Sequence, residues 1–261
     1  GVTTAAAAMA VGAPAASACW TGEKSEVTIL YTNDVHTYID KQAPELTYAA
    51  IAALKQSYQD AGKKVLLVDA GDHVQGTAYG SMDQGASIIE LMNAAGYDAA
   101  TPGNHEFDYG MDVALSLLEK SNAKYLSCNF IDLRTNKAVT DAYAMETYGS
   151  LKVAYVGVST PETFTKSTPT YFQDGNGNYI YGFMQDDTGE KLYTAVQSAV
   201  DAARKEGAKY VIAMAHLGIE ADCQPWTSSD VIVNTSGIDV VLDGHSHSTI
   251  AGDIVLSLIH I

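Results

Sequence analysis

Five times along this chain, a run of β-branched or aliphatic residues ends in a short loop that carries Asp, Asn or His. Val27–Tyr31 leads to Asp34 and His36, Lys64–Asp69 to Asp72, and Asp98–Ala100 to Asn104, His105 and Asp108. Lys209–Ala213 leads to His216, and Ile238–Leu242 to His245 and His247. Helical stretches separate these runs: residues 44–61 closed by Gly62, 83–95 closed by Gly96, Met111–Ser121, and Asp187–Glu206 closed by Gly207. Strands alternating with helices predict an α/β domain, and in such folds the loops at the carboxyl ends of the strands converge on one site.

Local patterns refine the expectation. In the first helix Leu46, Ala49, Ala50, Ala53 and Leu54 form the expected apolar stripe, and in the third Val113, Leu117 and Leu118 point inward. Lys124–Ser127 reads as a further strand. The segments AYAMETY and LKVAYVGV, joined by Gly149-Ser150, read as a hairpin, so the sheet is mixed. Residues 165–182, with Asp174-Gly175-Asn176-Gly177-Asn178 among tyrosines, read as a surface loop without chemistry.

The loop residues decide the chemistry. Gly103-Asn104-His105 alone is as well read as a polar turn, and the four other segments settle it. Asp34 and His36 stand two apart in extended backbone, so their side chains reach the same side. Asp34, His36, Asp72, Asn104, His216, His245 and His247 supply four imidazoles, two carboxylates and an amide, more than one four-coordinate ion needs. They suit two divalent ions sharing a carboxylate, and nitrogen–oxygen ligation without thiolate favours zinc, manganese, cobalt or iron over calcium. Two such ions against two carboxylates and a hydroxide leave about one positive charge, which suits a phosphate dianion undergoing in-line displacement. His73 and His260 fall outside this set.

Charge excludes other classes. With 31 acidic and 15 basic residues the chain has a net charge of −16, which repels nucleic-acid backbones and anionic membranes. Cys19, Cys128 and Cys223 have no framework or metal-type spacing, leaving only a Cys128–Cys223 pairing open. The apolar stretch 3–18, ending Ala16-Ser17-Ala18, reads as the remnant of an export signal (residues 1–18), followed by a linker over 19–26. Cys19 is a candidate site for a lipid anchor, with Ala16 standing where such sites usually carry Leu. Nothing else is long and apolar enough to span a membrane.

The ordered set D-x-H (Asp34, His36), G-D (Asp72), G-N-H-E (Asn104, His105), H (His216) and G-H-x-H (His245, His247) resembles the calcineurin-like metallophosphatases. NDVH followed by GNHEFD is similar to their secreted bacterial 5′-nucleotidase family, over most of residues 27–250. The resemblance implies an α/β sandwich of two mixed β-sheets flanked by helices. It also implies release of phosphate from extracellular nucleotides. Asp34, His36 and His247 would hold one metal and Asn104, His216 and His245 the other, with Asp72 bridging. His105, oriented by Asp108, would stabilise the phosphoryl transition state, and Asn104 and His105 would contact the substrate. A broader phosphodiesterase, a thiosulfate-ester hydrolase and a non-catalytic metal-loaded binding protein are the alternatives. Against the family pattern, residues 251–261 read as a truncated tail, and the C-terminal domain that binds the nucleobase is missing.

Overall fold

The computed structural model describes residues 7–12, 26–39, 47–248, 253–255 and 258–260. β1 (Ala7–Gly12) runs antiparallel to β2 (Glu26–Thr32), and β2 is buried along six of its seven residues, as its unbroken apolar run requires. β3 (Val65–Asp69), β4 (Ala99–Ala100) and β5 (Lys124–Tyr125) continue from β2 in parallel to complete a five-stranded sheet. β6 (Ile131–Asp132), β7 (Lys137–Ala138) and β10 (Tyr181–Gly182) form a small antiparallel sheet.

The other large sheet starts from the hairpin of β8 (Tyr143–Tyr148) and β9 (Leu151–Ser159). β11 (Tyr210–His216) and β12 (Val240–Leu242) follow in parallel. β14 (Leu258–His260) pairs parallel to β12 and antiparallel to β13 (Asp253–Val255), giving the order β13-β14-β12-β11-β9-β8. Both large sheets are therefore mixed.

Period-two alternation sorts the side chains into layers. On β2, Ile29 and Tyr31 face inward with Val68, meeting Val153, Tyr155, Ile212 and Met214 of the second sheet. Leu30 and Leu67 face the other way, under α1 (Tyr48–Asp60), α3 (Ala86–Ala95) and α4 (Met111–Lys120). The second sheet's outer face is covered by α6 (Glu190–Lys205) and α7 (Ser228–Asn234), through Leu192, Val196, Val200 and Val231. The result is an α/β sandwich of two sheets with helices on both outer faces.

Some expectations need correction. α1 buries Tyr48 and Ile51, while Ala49 and Ala53 of the expected stripe face solvent. The helix expected over 83–95 starts later, at Ala86 after Gly85 (φ 88°), and a short helix that was not expected, α2 (Ala78–Ser81), precedes it. The strand at Lys124 ends at Tyr125. Residues 165–182 are more than a surface loop, because Phe172 and Tyr181 pack with Phe107, Phe130 and Phe183 in an aromatic cluster beside α5 (Thr163–Lys166) and α4. Cys128 and Cys223 are both buried free thiols. Leu46 and Cys19 lie outside the described residues. Among those residues no helix is long and apolar enough to cross a membrane.

Candidate active site

The parallel strands of both sheets deliver their carboxyl-end loops to one place. Thr101 Oγ1 donates to the Met214 carbonyl at 2.9 Å and Ser159 Oγ to the Pro102 carbonyl at 2.8 Å, which stitches the two sheets together beneath the site. Gly103 allows a close approach between the second, third and fourth motifs. A Cβ there would overlap Asp72 Oδ1 and come within 2.8 Å of His216 Cε1.

The ligand set assembles in two groups. Donor atoms of Asp34, His36 and His247 lie within 4.8 Å of one another, as do those of Asp72, His216 and His245. His36 Nε2 is 3.1 Å from His247 Nε2 and 3.8 Å from Asp72 Oδ2, while His216 Nε2 is 3.0 Å from Asp72 Oδ2. Five of these residues hold left-handed backbone: Asp34 (φ 50°), His36 (47°), Asp72 (61°), His245 (83°) and His247 (51°). Such conformations cost of order 1–3 kcal/mol each and persist where surrounding contacts over-determine them. Those contacts are present. His36 N–H donates to the Asp72 carbonyl, Asp34 N–H to the Gly71 carbonyl, and His245 N–H to both Asp34 carboxylate oxygens.

The ring hydrogen bonds define which nitrogen is available. His36 Nδ1 sits 2.9 Å from the Gln75 carbonyl and His216 Nδ1 2.6 Å from the Ala70 carbonyl. A carbonyl only accepts, so both Nδ1 atoms carry a proton and Nε2 is the nitrogen each ring turns towards the other ligands. Among the described residues, Asn104 Oδ1 is buried with no hydrogen-bond partner, and His216 Nε2 faces the Asp72 carboxylate at 3.0 Å. A partnerless amide oxygen and imidazole nitrogens facing two buried carboxylates form a donor set that a divalent cation satisfies once the ring gives up its Nε2 proton. The residues fit the group.

Electrostatics follow the same logic. Burial opposes the charge on Asp72, but His216 beside it holds the carboxyl well below its ordinary range. Burial likewise works against a charged His216, yet the Asp72 and Asp34 charges push it up to about 10. His105 is drawn down by burial and up by its hydrogen bond to Asp108, 2.6 Å from Nδ1 to Oδ2, and settles at about 9. Asp108 Oδ1 in turn accepts from Ser167 Oγ at 3.0 Å, so the segment expected to carry no chemistry supports the dyad.

Supporting residues surround the ligands, and the roles of Glu106 and Glu162 among them escaped the sequence reading. Glu106 accepts the backbone N–H groups of Asp72, His73 and Gly103 at 2.8, 2.8 and 2.6 Å, locking the second and third motifs together. His73, outside the expected ligand set, is fully buried between Asp69 Oδ1 (2.8 Å) and Tyr125 OH (2.6 Å). Asp243 takes the N–H groups of Leu217, Gly218 and Gly244, joining the loops after β11 and β12. Glu162 Oε2 lies 2.7 Å from His245 Nε2. The only sequence signal for Glu106 was its place inside the hexapeptide. Glu162 had none.

A two-sheet sandwich with such a site at its strand ends defines a metallophosphoesterase. The chain belongs to the calcineurin-like phosphoesterase family, which it matches over residues 27–249. Membership implies divalent metal ions. Bovine 5′-nucleotidase is 32% identical over 240 residues, spanning 85% of this chain and 38% of that protein. The crystal structure of the Bacillus subtilis calcineurin-like phosphoesterase YfkN superposes with a TM-score of 0.68 at 26% identity, covering 84% of this chain and 72% of that one. The Thermus thermophilus sulfate thiohydrolase SoxB superposes with a TM-score of 0.70 at 25% identity, covering 82% and 36%. The chain therefore spans well under half of the bovine protein's length.

Proposed function

We propose that this chain is the catalytic portion of a dinuclear metal-dependent phosphoester hydrolase that releases phosphate from nucleotides, as a 5′-nucleotidase does. The observation that carries the reading is the partnerless, buried Asn104 Oδ1 and His216 Nε2 facing buried Asp34 and Asp72, together with the partly exposed His105–Asp108 dyad. A non-catalytic metal carrier has no use for the dyad. Asp34, His36 and His247 would hold one ion and Asn104, His216 and His245 the other, with Asp72 shared. Zinc, manganese, cobalt or iron in these positions supplies Lewis-acid charge for the phosphoryl group and brings a water's pKa towards neutrality.

The chain's own residues do the rest. Asp108 accepts Nδ1–H of His105 and fixes the ring, so Nε2–H faces outward to donate to a phosphoryl or leaving-group oxygen. Ser167 holds Asp108 in turn. Asn104 positions the phosphate next to His105. The bovine relative supports nucleotides as substrates, and the likeness to the sulfate thiohydrolase makes thiosulfate-ester cleavage the second reading. Although Ala7–Gly12 of the apolar stretch pairs with β2 as β1, its end at Ala16-Ser17-Ala18 has the pattern of an export signal and supports action outside the cytoplasm, whether secreted, periplasmic or at the cell surface, with Cys19 as the candidate anchor point.

The test is elemental analysis of reconstituted protein alongside turnover of an aryl phosphate, AMP and a thiosulfate ester. About two equivalents of metal with phosphate release support the proposal. One equivalent or fewer refutes the dinuclear site, and turnover of the thiosulfate ester alone would transfer the assignment to the second reading.

A further inference from the structure

Of the metal-facing histidines, His36, His216 and His245 are clamped through a ring nitrogen in two different ways. His36 and His216 are clamped through Nδ1 by main-chain carbonyls. His245 is clamped through Nε2 by a side chain, the Glu162 carboxylate at 2.7 Å. The two groups are nearly enclosed, with 7% of the His245 side chain and 10% of the Glu162 side chain exposed. A carboxylate oxygen at 2.7 Å accepts from the ring. Nε2 then carries the proton, and Nδ1 is the nitrogen left to face Asp72 and His216.

His245 needs such a hold more than the other ligands do. Its φ of 83° is the largest among the left-handed non-glycine residues, and its backbone is fixed only by N–H donation to Asp34. Glu162 comes from the loop after β9, which supplies no ligand, and is itself steadied by Lys166 Nζ at 3.7 Å. Glu162, Cys223 and His245 also bring donor atoms within 4.8 Å of one another. At 2.7 Å, Glu162 Oε2 and His245 Nε2 stand at hydrogen-bond distance, with Nε2–H donating to the carboxylate.

We propose that Glu162 is the positioning residue that sets the tautomer and tilt of His245, and through them the strength of one of the two metal positions. An anionic acceptor on the far ring nitrogen raises imidazole basicity and fixes its direction, and losing such a partner weakens metal binding about 10–100-fold. The inference rests on the dinuclear reading above.

Metal-free full chain of wild type, Glu162→Gln and Glu162→Leu is titrated with zinc against a competing chelator, and each apo form is melted. The expected result is two equivalents for wild type. For Glu162→Leu, one equivalent should bind as in wild type and the other about 10–100-fold more weakly. Glu162→Gln, which keeps an acceptor without the charge, should fall between, and apo melting should stay within a few degrees. Two wild-type affinities in Glu162→Leu overturn this inference alone. Equal weakening at both positions with a lowered apo melting temperature also overturns it, since that marks a merely structural role. Fewer than two equivalents in wild type overturns the dinuclear reading and this inference with it.

Discussion

His105 is the side chain on which chemistry and metal binding separate. Its ring is one-third exposed and belongs to the dyad, not to the proposed ligand set. His105→Ala should therefore lower turnover of an aryl phosphate about 10²–10³-fold, the usual effect of removing one transition-state donor, with metal content unchanged. Equal rates at matched metal loading would remove His105 from the mechanism. His216 carries a second prediction, about protons. Its raised value of about 10 means the metal-free ring is protonated at neutral pH, and an ion must displace that proton. Metal affinity should rise about tenfold per pH unit between pH 6.5 and 8.5, with proton release visible by calorimetry in buffers of different ionisation enthalpy. The sign reverses for the metal-free fold. A group whose pKa is raised on folding gives stability that is fully present below about 6.5 and lost as pH rises through about 10, so the apo protein should melt lower at pH 9 than at pH 6.5. An affinity that does not change with pH would count against this account of the site.

At the scale of elements, α1 shows where pattern reading fails. Its alanines satisfy a helical stripe on more than one face, so spacing alone could not choose between them. The structure chooses Tyr48 and Ile51, which meet Leu30 and Leu67 of the sheet, and leaves Ala49 and Ala53 in solvent. Ile51→Ala should cost about 2–4 kcal/mol by opening a cavity against β2 and β3, whereas Ala53→Ser should stay within about 0.5 kcal/mol. Urea melts of the metal-free protein give the ranking, and the reverse order would restore the stripe read from sequence. The strands and their terminal loops were legible because each motif is local. Asp34 and His36, or His245 and His247, declare themselves within three residues after an apolar run. Glu162 and Ser167 were not, because their partners lie 83 and 59 residues away and nothing in the intervening chain signals the contact. Phe172 and Tyr181 were hidden for a related reason. They sit among turn formers, and only the aromatic cluster around Phe107 shows that their segment is packed.

We propose that phosphate chemistry and base selection lie in different parts of the whole protein. A net charge of −16 repels an anionic substrate at long range, so attraction has to come from the site itself. There the nine residues assigned to the ligand set and the dyad are Asp, Asn and His, groups that hold a phosphoryl unit. None of them is a Phe, Tyr or Trp that would stack on a base in preference to another. The chain corresponds to 38% of the length of bovine 5′-nucleotidase, and the family resemblance places base recognition in the part that lies beyond this match. This chain by itself should therefore hydrolyse AMP, GMP, CMP and UMP with kcat/KM values within about tenfold of one another. Discrimination beyond that normally requires polar groups that pair with one base and are left unpaired by the others. The measurement is phosphate release from the four nucleotides at equal metal loading, with His105→Ala as the blank for contaminating phosphatase. A preference of a hundredfold or more for one base would place a base-reading surface within residues 27–249, and the separation of phosphate chemistry from base recognition would have to be abandoned.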